Sequence, residues 1–277
     1  MVLFDNHLHL RRDGRYLEAI REFKNTGGTH FVLCQYPMPE LAMRDKSYKN
    51  CYQKTLEMAD EIREELEVGV FVTVGPYPVD YLKFKEKMGR DRAIELMEKG
   101  MDEAAALCKE ERCVGIGEIG RPHFPVDKES LDDSNKILQY GMQKAAEIDV
   151  PVILHTESTT PKQCKELVEM GKNVGLSPDK IVKHFSPALI NKEENYGLIP
   201  SVLSSKKNII ESLKKGSRFM METDYIDDPN RPGAVLGPKT VPKLTKKLLE
   251  DGFMSESQAY EIHINIPQKT YKIDFEL

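Results

Sequence analysis

The sequence predicts an α/β protein, a single (β/α)8 TIM barrel in which residues 1–277 form one domain. Eight apolar runs of strand length alternate with long amphipathic segments, which is typical of parallel strands covered by helices. A chain of 277 residues is long enough to fill one such barrel, and no low-complexity linker divides it. A doubly wound open sheet is the alternative fold.

The predicted strands are short runs rich in apolar residues. They cover residues 2–7, 29–36, 68–75, 113–119, 152–155, 180–184, 198–203 and 218–224. A doubly wound sheet that binds a dinucleotide carries G-x-G-x-x-G after its first strand, and this chain has no such motif there. The glycines of GIGEIG have a different spacing, so they indicate close packing inside a barrel.

Helices are predicted between the strands, where apolar residues recur at positions i, i+3, i+4 and i+7. Segments 48–66 and 138–148 show this pattern most clearly. Helix starts are predicted at 130–133, at Pro178 and at a capping box in 255–258. Side-chain oxygens at the first and third places can accept the unpaired backbone N–H groups of a first turn, and proline has no N–H group to leave unpaired.

The composition is typical of a soluble globular protein, with 31% charged and 40% hydrophobic residues and a net charge of −5. No stretch approaches the ~18 apolar residues of a membrane span, so no membrane partner is expected. The chain lacks a basic stripe for nucleic acid, and the segment after Met1 does not read as a secretory signal. Five scattered cysteines without a C-x-x-C pair suit reduced, buried thiols, so a cytoplasmic protein is expected.

Two histidines stand two residues apart at the end of the first predicted strand, in the stretch FDNHLHL. Because side chains alternate between the faces of a strand, His7 and His9 point the same way, with Asp5 below them. This geometry can chelate a metal ion, although an isolated H-x-H is equally typical of an ordinary half-buried strand. The other strand ends decide between the two interpretations.

Four more predicted strands end in side chains that can bind metal: Glu118, His155, His184 and Asp224. In a parallel barrel the carboxyl ends of all strands meet on one face, where catalytic groups collect. Four imidazoles and two carboxylates exceed the needs of one four-coordinate ion, and a shared carboxylate can bridge two ions. The sequence therefore predicts two divalent metal ions, with zinc first and manganese, nickel or iron as alternatives.

Two further acids are predicted to support these ligands from deeper in the barrel. Glu222 shares the face of Asp224 one layer down, as Asp5 lies beneath His7. Buried acids in such positions commonly accept the second ring N–H of a ligand imidazole, so this is the role that we expect for both.

Arg121 and His123 follow Glu118 directly and are candidates for contacting a phosphate or protonating a leaving group. Their segment is equally typical of a structural loop closed by prolines. The polar segment 186–200 follows His184 and carries few helix signals. We expect it to be a passive insertion, with a lid over the site as the alternative.

The motifs DNHLH, GEIG, HTE, KHFS and ETD run from residue 5 to about residue 230 in an order that resembles the TatD-type metal-dependent hydrolases of the amidohydrolase superfamily. The resemblance implies hydrolysis, in many relatives of phosphodiester bonds in DNA. It also implies a ligand set bridged by Glu118: His7, His9 and Asp224 for one divalent ion, and His155 and His184 for the other.

The residues beside these ligands depart from the family pattern. Members with nuclease activity continue G-E-I-G-L-D-Y, H-S-R-x-A, H-C-F-S-G and E-T-D-x-P-Y-L, whereas this chain reads GEIGRPHF, HTEST, KHFSPA and ETDYIDDP. The resemblance therefore favours metal-dependent hydrolysis more strongly than nuclease activity, and it indicates a divergent branch of the family.

The expected chemistry is hydrolysis by a hydroxide that two metal ions generate from water near neutral pH. Asp224 is predicted to accept the water proton and pass it to the leaving group. Two dications against two carboxylates and one hydroxide leave about one positive charge, which favours an anionic phosphoester, DNA included. The alternatives are an amidohydrolase or lactonase acting on a carboxylic ester, amide or lactone, and a non-catalytic metal-binding barrel.

Overall fold

The computed structural model describes residues 1–231 and 235–275. Its centre is a nine-stranded sheet in which every pair of neighbouring strands is parallel, in the order β8-β7-β6-β5-β4-β3-β2-β1-β9. The strands are β1 (Phe4–His9), β2 (His30–Cys34), β3 (Gly69–Val74), β4 (Gly115–Gly120), β5 (Val152–His155), β6 (Ile181–Ser186), β7 (Ile199–Leu203), β8 (Met220–Glu222) and β9 (Tyr225–Ile226).

The sheet is curled, because its two ends lie next to each other. Only Thr223 and Asp224 separate β8 from β9, and β9 pairs with β1 at the other end of the strand order. The backbone N–H of Asp224 donates to the carbonyl of His7 at 2.9 Å. The prediction of eight strands needs a correction, since the eighth is split where Asp224 adopts a left-handed backbone conformation with φ of 47°.

Helices surround the sheet and connect successive strands. They are α1 (Leu17–Asn25), α2 (Pro39–Asp45), α3 (Lys49–Leu66), α4 (Asp80–Met88), α5 (Arg90–Lys109), α6 (Lys128–Ile148), α7 (Pro161–Asn173), α8 (Lys192–Asn195), α9 (Lys206–Leu213), α10 (Thr240–Glu250), α11 (Glu256–Tyr260) and α12 (Ile266–Tyr271). A 3-10 turn covers Pro178–Lys180, and a π-helical turn covers Glu261–Asn265. Within the two described ranges, no helix is both long and apolar enough to cross a bilayer.

The helix starts agree with the sequence at two places and differ at a third. Ser255 forms the predicted capping box at the start of α11, and Pro178 opens the 3-10 turn. The predicted start of α6 at 130–133 is wrong, because Asp127 caps this helix and accepts the backbone N–H of Ser130 at 2.9 Å. An acidic cap three residues earlier satisfies the same unpaired donors.

One apolar cluster lies inside the curl of the sheet. It joins side chains of β1, β2, β5, β6, β7 and β8 to the C-terminal segment, which covers the amino ends of the strands. The Tyr271 hydroxyl of α12 donates to Asn6 Oδ1 of β1 at 2.8 Å. The C-terminal segment therefore covers the amino ends of the strands, so a functional site is expected at their carboxyl ends.

The segment 186–200 contains the short helix α8, which the sequence analysis did not expect. Asn191 and Glu194 cap it reciprocally, a four-residue signal that is easily missed in a polar run. The Asn195 side chain is fully buried and donates to the carbonyls of Leu189 and Ile190 at 2.8 and 3.1 Å. These contacts order the segment internally. Lys215, which follows α9, attaches it to the body of the protein by donating to the Ala188 carbonyl and to Glu194, both at 2.8 Å.

Candidate metal centre

Irregularities in the sheet lie where metal ligands were predicted. The register of β1 with β2 shifts between residues 5 and 8, that of β4 with β5 between 117 and 119, and that of β6 with β7 between 183 and 186. These intervals contain His7, Glu118 and His184. Since a bulge bends its strand and re-aims a side chain, the local backbone supports their convergence at one point.

The first group of converging side chains comes from β1 and from the end of β8. The Nε2 atoms of His7 and His9 lie 3.1 Å apart, and Asp224 Oδ1 is 3.9 and 3.8 Å from them. Four ligands of one tetrahedral ion with bonds of about 2.1 Å stand about 3.4 Å from one another. The spacing of these donors is therefore close to that of a ligand shell.

The second group is arranged around the carboxylate of Glu118. Its Oε1 lies 3.0 Å from His155 Nδ1 and 3.2 Å from His184 Nε2. The same carboxylate reaches the first group, with Oε1 3.6 Å from His7 Nε2 and Oε2 3.4 Å from His9 Nε2. Glu118 is thus the one side chain of the cluster that contacts all four imidazoles.

The electrostatics of the cluster suit divalent cations. Burial, together with the neighbouring imidazoles, lowers the pKa of His7 and His184 well below the usual value, so their rings are neutral near pH 7. Burial and repulsion by Glu118 and Asp5 raise the pKa of Asp224 well above its usual range. Neutral imidazoles offer lone pairs, and a dication beside Asp224 would favour its ionised form. The donor set therefore fits divalent ions.

Glu222 lies behind the cluster and contacts a predicted ligand. Its Oε1 is 3.2 Å from His184 Nδ1 and accepts the backbone N–H of Phe185 at 2.7 Å. The Ser201 hydroxyl donates to its other oxygen. This fully buried carboxylate lies on the ring nitrogen of His184 that faces away from Glu118, and its role in orienting that ring stays a prediction.

Asp5 occupies a different place from the one expected. Its carboxylate accepts the backbone N–H groups of His7 and Thr223 at 3.2 and 2.9 Å, so it joins β1 to the end of β8 rather than accepting from an imidazole. The outer Nδ1 atoms of His7 and His9 instead face Cys34, at 3.2 Å from its Sγ and 3.1 Å from its carbonyl oxygen. Nothing in the sequence indicated that Cys34 contacts a candidate ligand, because a lone buried cysteine most often behaves as a small hydrophobic core residue.

His155 has two polar neighbours on the side away from Glu118. Its Nε2 lies 2.9 Å from Nδ1 of the exposed His123 and 3.2 Å from the Tyr77 hydroxyl. His123 is therefore brought to the cluster, while its role as a substrate contact or proton donor stays a prediction. Tyr77 was missed, although it follows β3 in the stretch GPYP, because tyrosine was not among the residue types sought at strand ends.

The structure does not bring Arg121 to the cluster. Its guanidinium is 5% exposed and makes a two-pronged contact with Glu157 at 2.9 and 2.7 Å. It also donates to Glu166 at 2.8 Å and to Asn135 at 3.1 Å. Its assignment as a substrate contact stays a prediction, and these contacts favour a bracing role between loops.

A cavity of about 260 Å³ opens over the cluster at the carboxyl ends of the strands. Arg231 lines it and supplies a cation that the sequence analysis did not single out. The cavity is lined by His9, Tyr36, Pro37, Tyr77, Glu118, His155, His184, Asp224, Ile226 and Arg231. Its volume suits one small ester group above the donor cluster.

Two solved structures of similar fold are named as a lactonase and as a phosphotriesterase homologue. A variant of a phosphotriesterase-like lactonase from Deinococcus radiodurans superposes with a TM-score of 0.64 at 14% identity, covering 92% of this chain and 85% of that one. The phosphotriesterase homology protein of Escherichia coli, solved with phosphate in its active site, gives 0.63 at 11% identity and 98% of both chains. At these identities the likeness shows the fold alone.

Sequence relatives are more informative. An uncharacterized protein of Methanocaldococcus jannaschii is 37% identical over 99% of this chain and 96% of its own length. An uncharacterized metal-dependent hydrolase of Bacillus subtilis, YabD, is 25% identical over 61% of this chain and 56% of its own length. The family model for TatD related DNase matches residues 4–272. The chain therefore belongs to the TatD-related DNase family and is a metal-dependent hydrolase.

Proposed function

We propose that the protein hydrolyses phosphoesters at a centre of two divalent ions, with zinc as the first candidate. One ion would be held by His7, His9 and Asp224, the other by His155 and His184. The observation that carries the proposal is the position of Glu118, whose carboxylate lies within 3.0 to 3.6 Å of a nitrogen of every imidazole in both groups. A carboxylate in such a position can bridge two ions.

The residues around the cavity account for the remaining chemistry. When bound, divalent ions activate water and polarise the ester. Asp224, buried and beside both histidines of β1, accepts the proton of the attacking water and returns it to the leaving group. Arg231 lines the same cavity and favours a substrate with a negative charge. Phosphodiesters, DNA among them, therefore fit better than neutral lactones.

The proposal also covers the closure of the fold and the location of the protein. The contact of β9 with β1 supports closure into one barrel domain over residues 1–277. All five cysteines are free and buried, which supports a reducing compartment such as the cytoplasm. Neither inference affects the chemistry of the cavity.

The test is a substrate panel on the purified, metal-loaded protein. It includes aryl phosphodiesters, single-stranded DNA, aryl carboxylic esters, amides and lactones. We expect turnover of phosphodiesters, and we expect Asp224→Asn to lower it by about 10²-fold to 10⁴-fold while the fold and most of the metal remain. Asp91→Asn on the exposed surface is the matched control and should leave turnover unchanged.

Two results would overturn the proposal. Turnover confined to lactones, carboxylic esters or amides would replace phosphoesters with the alternative substrate class. Equal turnover of the Asp224→Asn variant and the wild type would remove Asp224 from the proton transfers.

A further inference from the structure

A second cavity of about 450 Å³ lies directly beside the cavity of the metal centre. The two share Tyr36 and Pro37, which follow β2, so one wall separates them. The second cavity is formed by the segments after β1 and β2 and by α2 and α3. A molecule bound at the metal centre can extend over Tyr36 into this space, which we call the lateral cavity.

The floor of the lateral cavity is apolar. Leu10 and Met58 are 1% and 4% exposed and form its base, while Met38 and Leu41 are half-buried around it. Side chains of this kind bind a ligand by removing its apolar surface from water. Methionines adapt well to the edges of aromatic rings.

The shared wall is a fixed aromatic surface. The Arg11 guanidinium carbon lies 5.0 Å from the centroid of the Tyr36 ring. Asp13 and Asp228 hold that guanidinium at 2.6 and 3.1 Å, so the cation that covers the ring is itself anchored. A wall ordered in advance costs less entropy when a ligand packs against it.

The rim of the lateral cavity carries both signs of charge, with Asp13 paired to Arg11 and Glu40 paired to Lys83. Arg12 pairs with Glu61 at 2.7 Å, whereas Lys54 has no ion-pair partner within residues 1–231 and 235–275. An apolar floor directly beside the metal centre fits an apolar ring attached to an anionic group that the metal centre holds. This is the chemistry of an aromatic phosphoester.

We propose that the lateral cavity is a subsite for an aromatic substituent of the substrate, attached to the phosphorus group that the metal centre binds. The proposal rests on the proposed function, since it takes the phosphorus group to lie over Glu118. It predicts selectivity for aryl-substituted phosphoesters over those with small alkyl groups. Tyr36, Leu41 and Met58 are the residues that we assign to this selectivity.

The test compares phenylphosphonate with methylphosphonate, two ligands that share one head group and are not hydrolysed. Their binding to the zinc-loaded protein is measured by titration calorimetry. We expect phenylphosphonate to bind ~10-fold or more tightly, as burial of an aromatic ring predicts. Leu41→Trp, which fills the lateral cavity, should bring the ratio of the two affinities close to one.

Two more variants keep the test decisive. Met38→Trp fills the same space from the loop after β2 and serves if Leu41→Trp does not fold. Leu131→Trp, at an exposed position of α6, adds the same side chain elsewhere and should keep the wild-type ratio. A wild-type ratio near one, or a preference that survives in the variants that fill the cavity, would overturn the subsite.

Turnover of methyl p-nitrophenyl phosphate separates the subsite from the proposed function. If the wild type does not hydrolyse this diester or the other phosphoesters of the panel, the proposed function fails. The affinity ratio still decides whether the lateral cavity binds an aromatic group.

Discussion

Glu118 and Glu222 show how two buried glutamates of one site take different roles. Glu118 faces the imidazoles. Burial raises the pKa of its carboxylate, but the imidazoles lower this pKa by a larger amount, so the net shift is downward. Burial raises the pKa of Glu222 well above its usual range, and repulsion by Asp224 adds to this effect. A cation at the centre would favour the ionised form of Glu222 and with it the contact to His184.

Replacement of Glu222 tests that contact. Glu222→Gln keeps the shape of the side chain but removes the charge that attracts the outer N–H of His184. We expect zinc affinity to fall by about 10-fold to 100-fold with the fold retained, measured by competition with a chelator. Glu261→Gln, on the π-helical turn, is the matched control. Unchanged affinity in Glu222→Gln would contradict an orienting role.

At this scale the sequence predicts the convergence of the candidate metal ligands better than the contacts of the residues behind them. The six candidate ligands could be named because only a few residue types bind divalent ions and because they stand at strand ends. Asp5 differs from expectation and the contact of Cys34 with His7 was missed, because alternation along a strand gives the face of a side chain but not its hydrogen-bond partner. That partner depends on neighbouring strands, as the contact of Asp5 with Thr223 shows.

Arg121 connects two of the strands that carry the cluster. Its backbone N–H donates to the His155 carbonyl at 3.0 Å, and its guanidinium pairs with Glu157, two residues beyond His155. Glu118 precedes it by three residues. The pair therefore joins the end of β4 to the end of β5, which fixes the relative positions of Glu118 and His155.

Arg121→Met tests whether the Arg121–Glu157 pair stabilises the ends of β4 and β5. It leaves the mostly buried Glu157 carboxylate without its partner, so we expect the free energy of unfolding to fall by about 2 kcal/mol in urea denaturation. The double variant Arg121→Met, Glu157→Met should recover part of that loss, since the Glu157 charge is removed together with its partner and the exposed Glu166 carboxylate stays solvated. A raised KM for phosphodiesters with unchanged stability would instead support the predicted substrate contact.

Sequence patterns locate the elements well but not their interruptions. Apolar runs and helical spacing predict the eight βα units because they report which side chains are buried. The split between β8 and β9 could not be predicted, because the left-handed backbone of Asp224 follows from its place beside β1. The short helix α8 was not predicted, because the buried contacts of Asn195 that stabilise it are not visible in the local sequence.

The C-terminal segment packs against β1 through His263, which is not one of the candidate metal ligands. This fully buried ring contacts the backbone N–H and carbonyl of Phe4 in β1 at 3.1 and 3.2 Å. Its Nε2 lies 3.0 Å from the Thr245 hydroxyl of α10. Burial lowers the pKa of His263 to about 4 despite the hydrogen bond to Phe4. The folded state therefore holds the ring neutral, while the unfolded chain protonates it near pH 6.5.

The sign of the pH effect follows from these two values. Between pH 6.5 and 4 the unfolded state binds the extra proton, so His263 lowers stability as the pH falls, by about 3 kcal/mol in all. In His263→Gln this contribution is absent. We expect the acid-induced loss of unfolding free energy between pH 7 and 4, measured in urea on metal-free protein, to be smaller by that amount. Parallel pH profiles for the two proteins would contradict this assignment.

The parallel sheet surrounded by helices could be predicted from the alternation of elements, but the packing of the C-terminal segment on β1 could not. His263 and Tyr271 lie in the last helical turns, and nothing in their local sequence says that they contact β1. Such contacts span more than 250 residues, and they follow from the shape of the assembled sheet.

The most direct test of the account is to locate and count the metal. Crystals of the zinc-loaded protein, measured at the zinc absorption edge together with elemental analysis, should show two ions per chain, one against His7, His9 and Asp224 and one against His155 and His184, with Glu118 touching both. A single ion per chain, or two ions of which either lies away from Glu118, would contradict the two-metal centre.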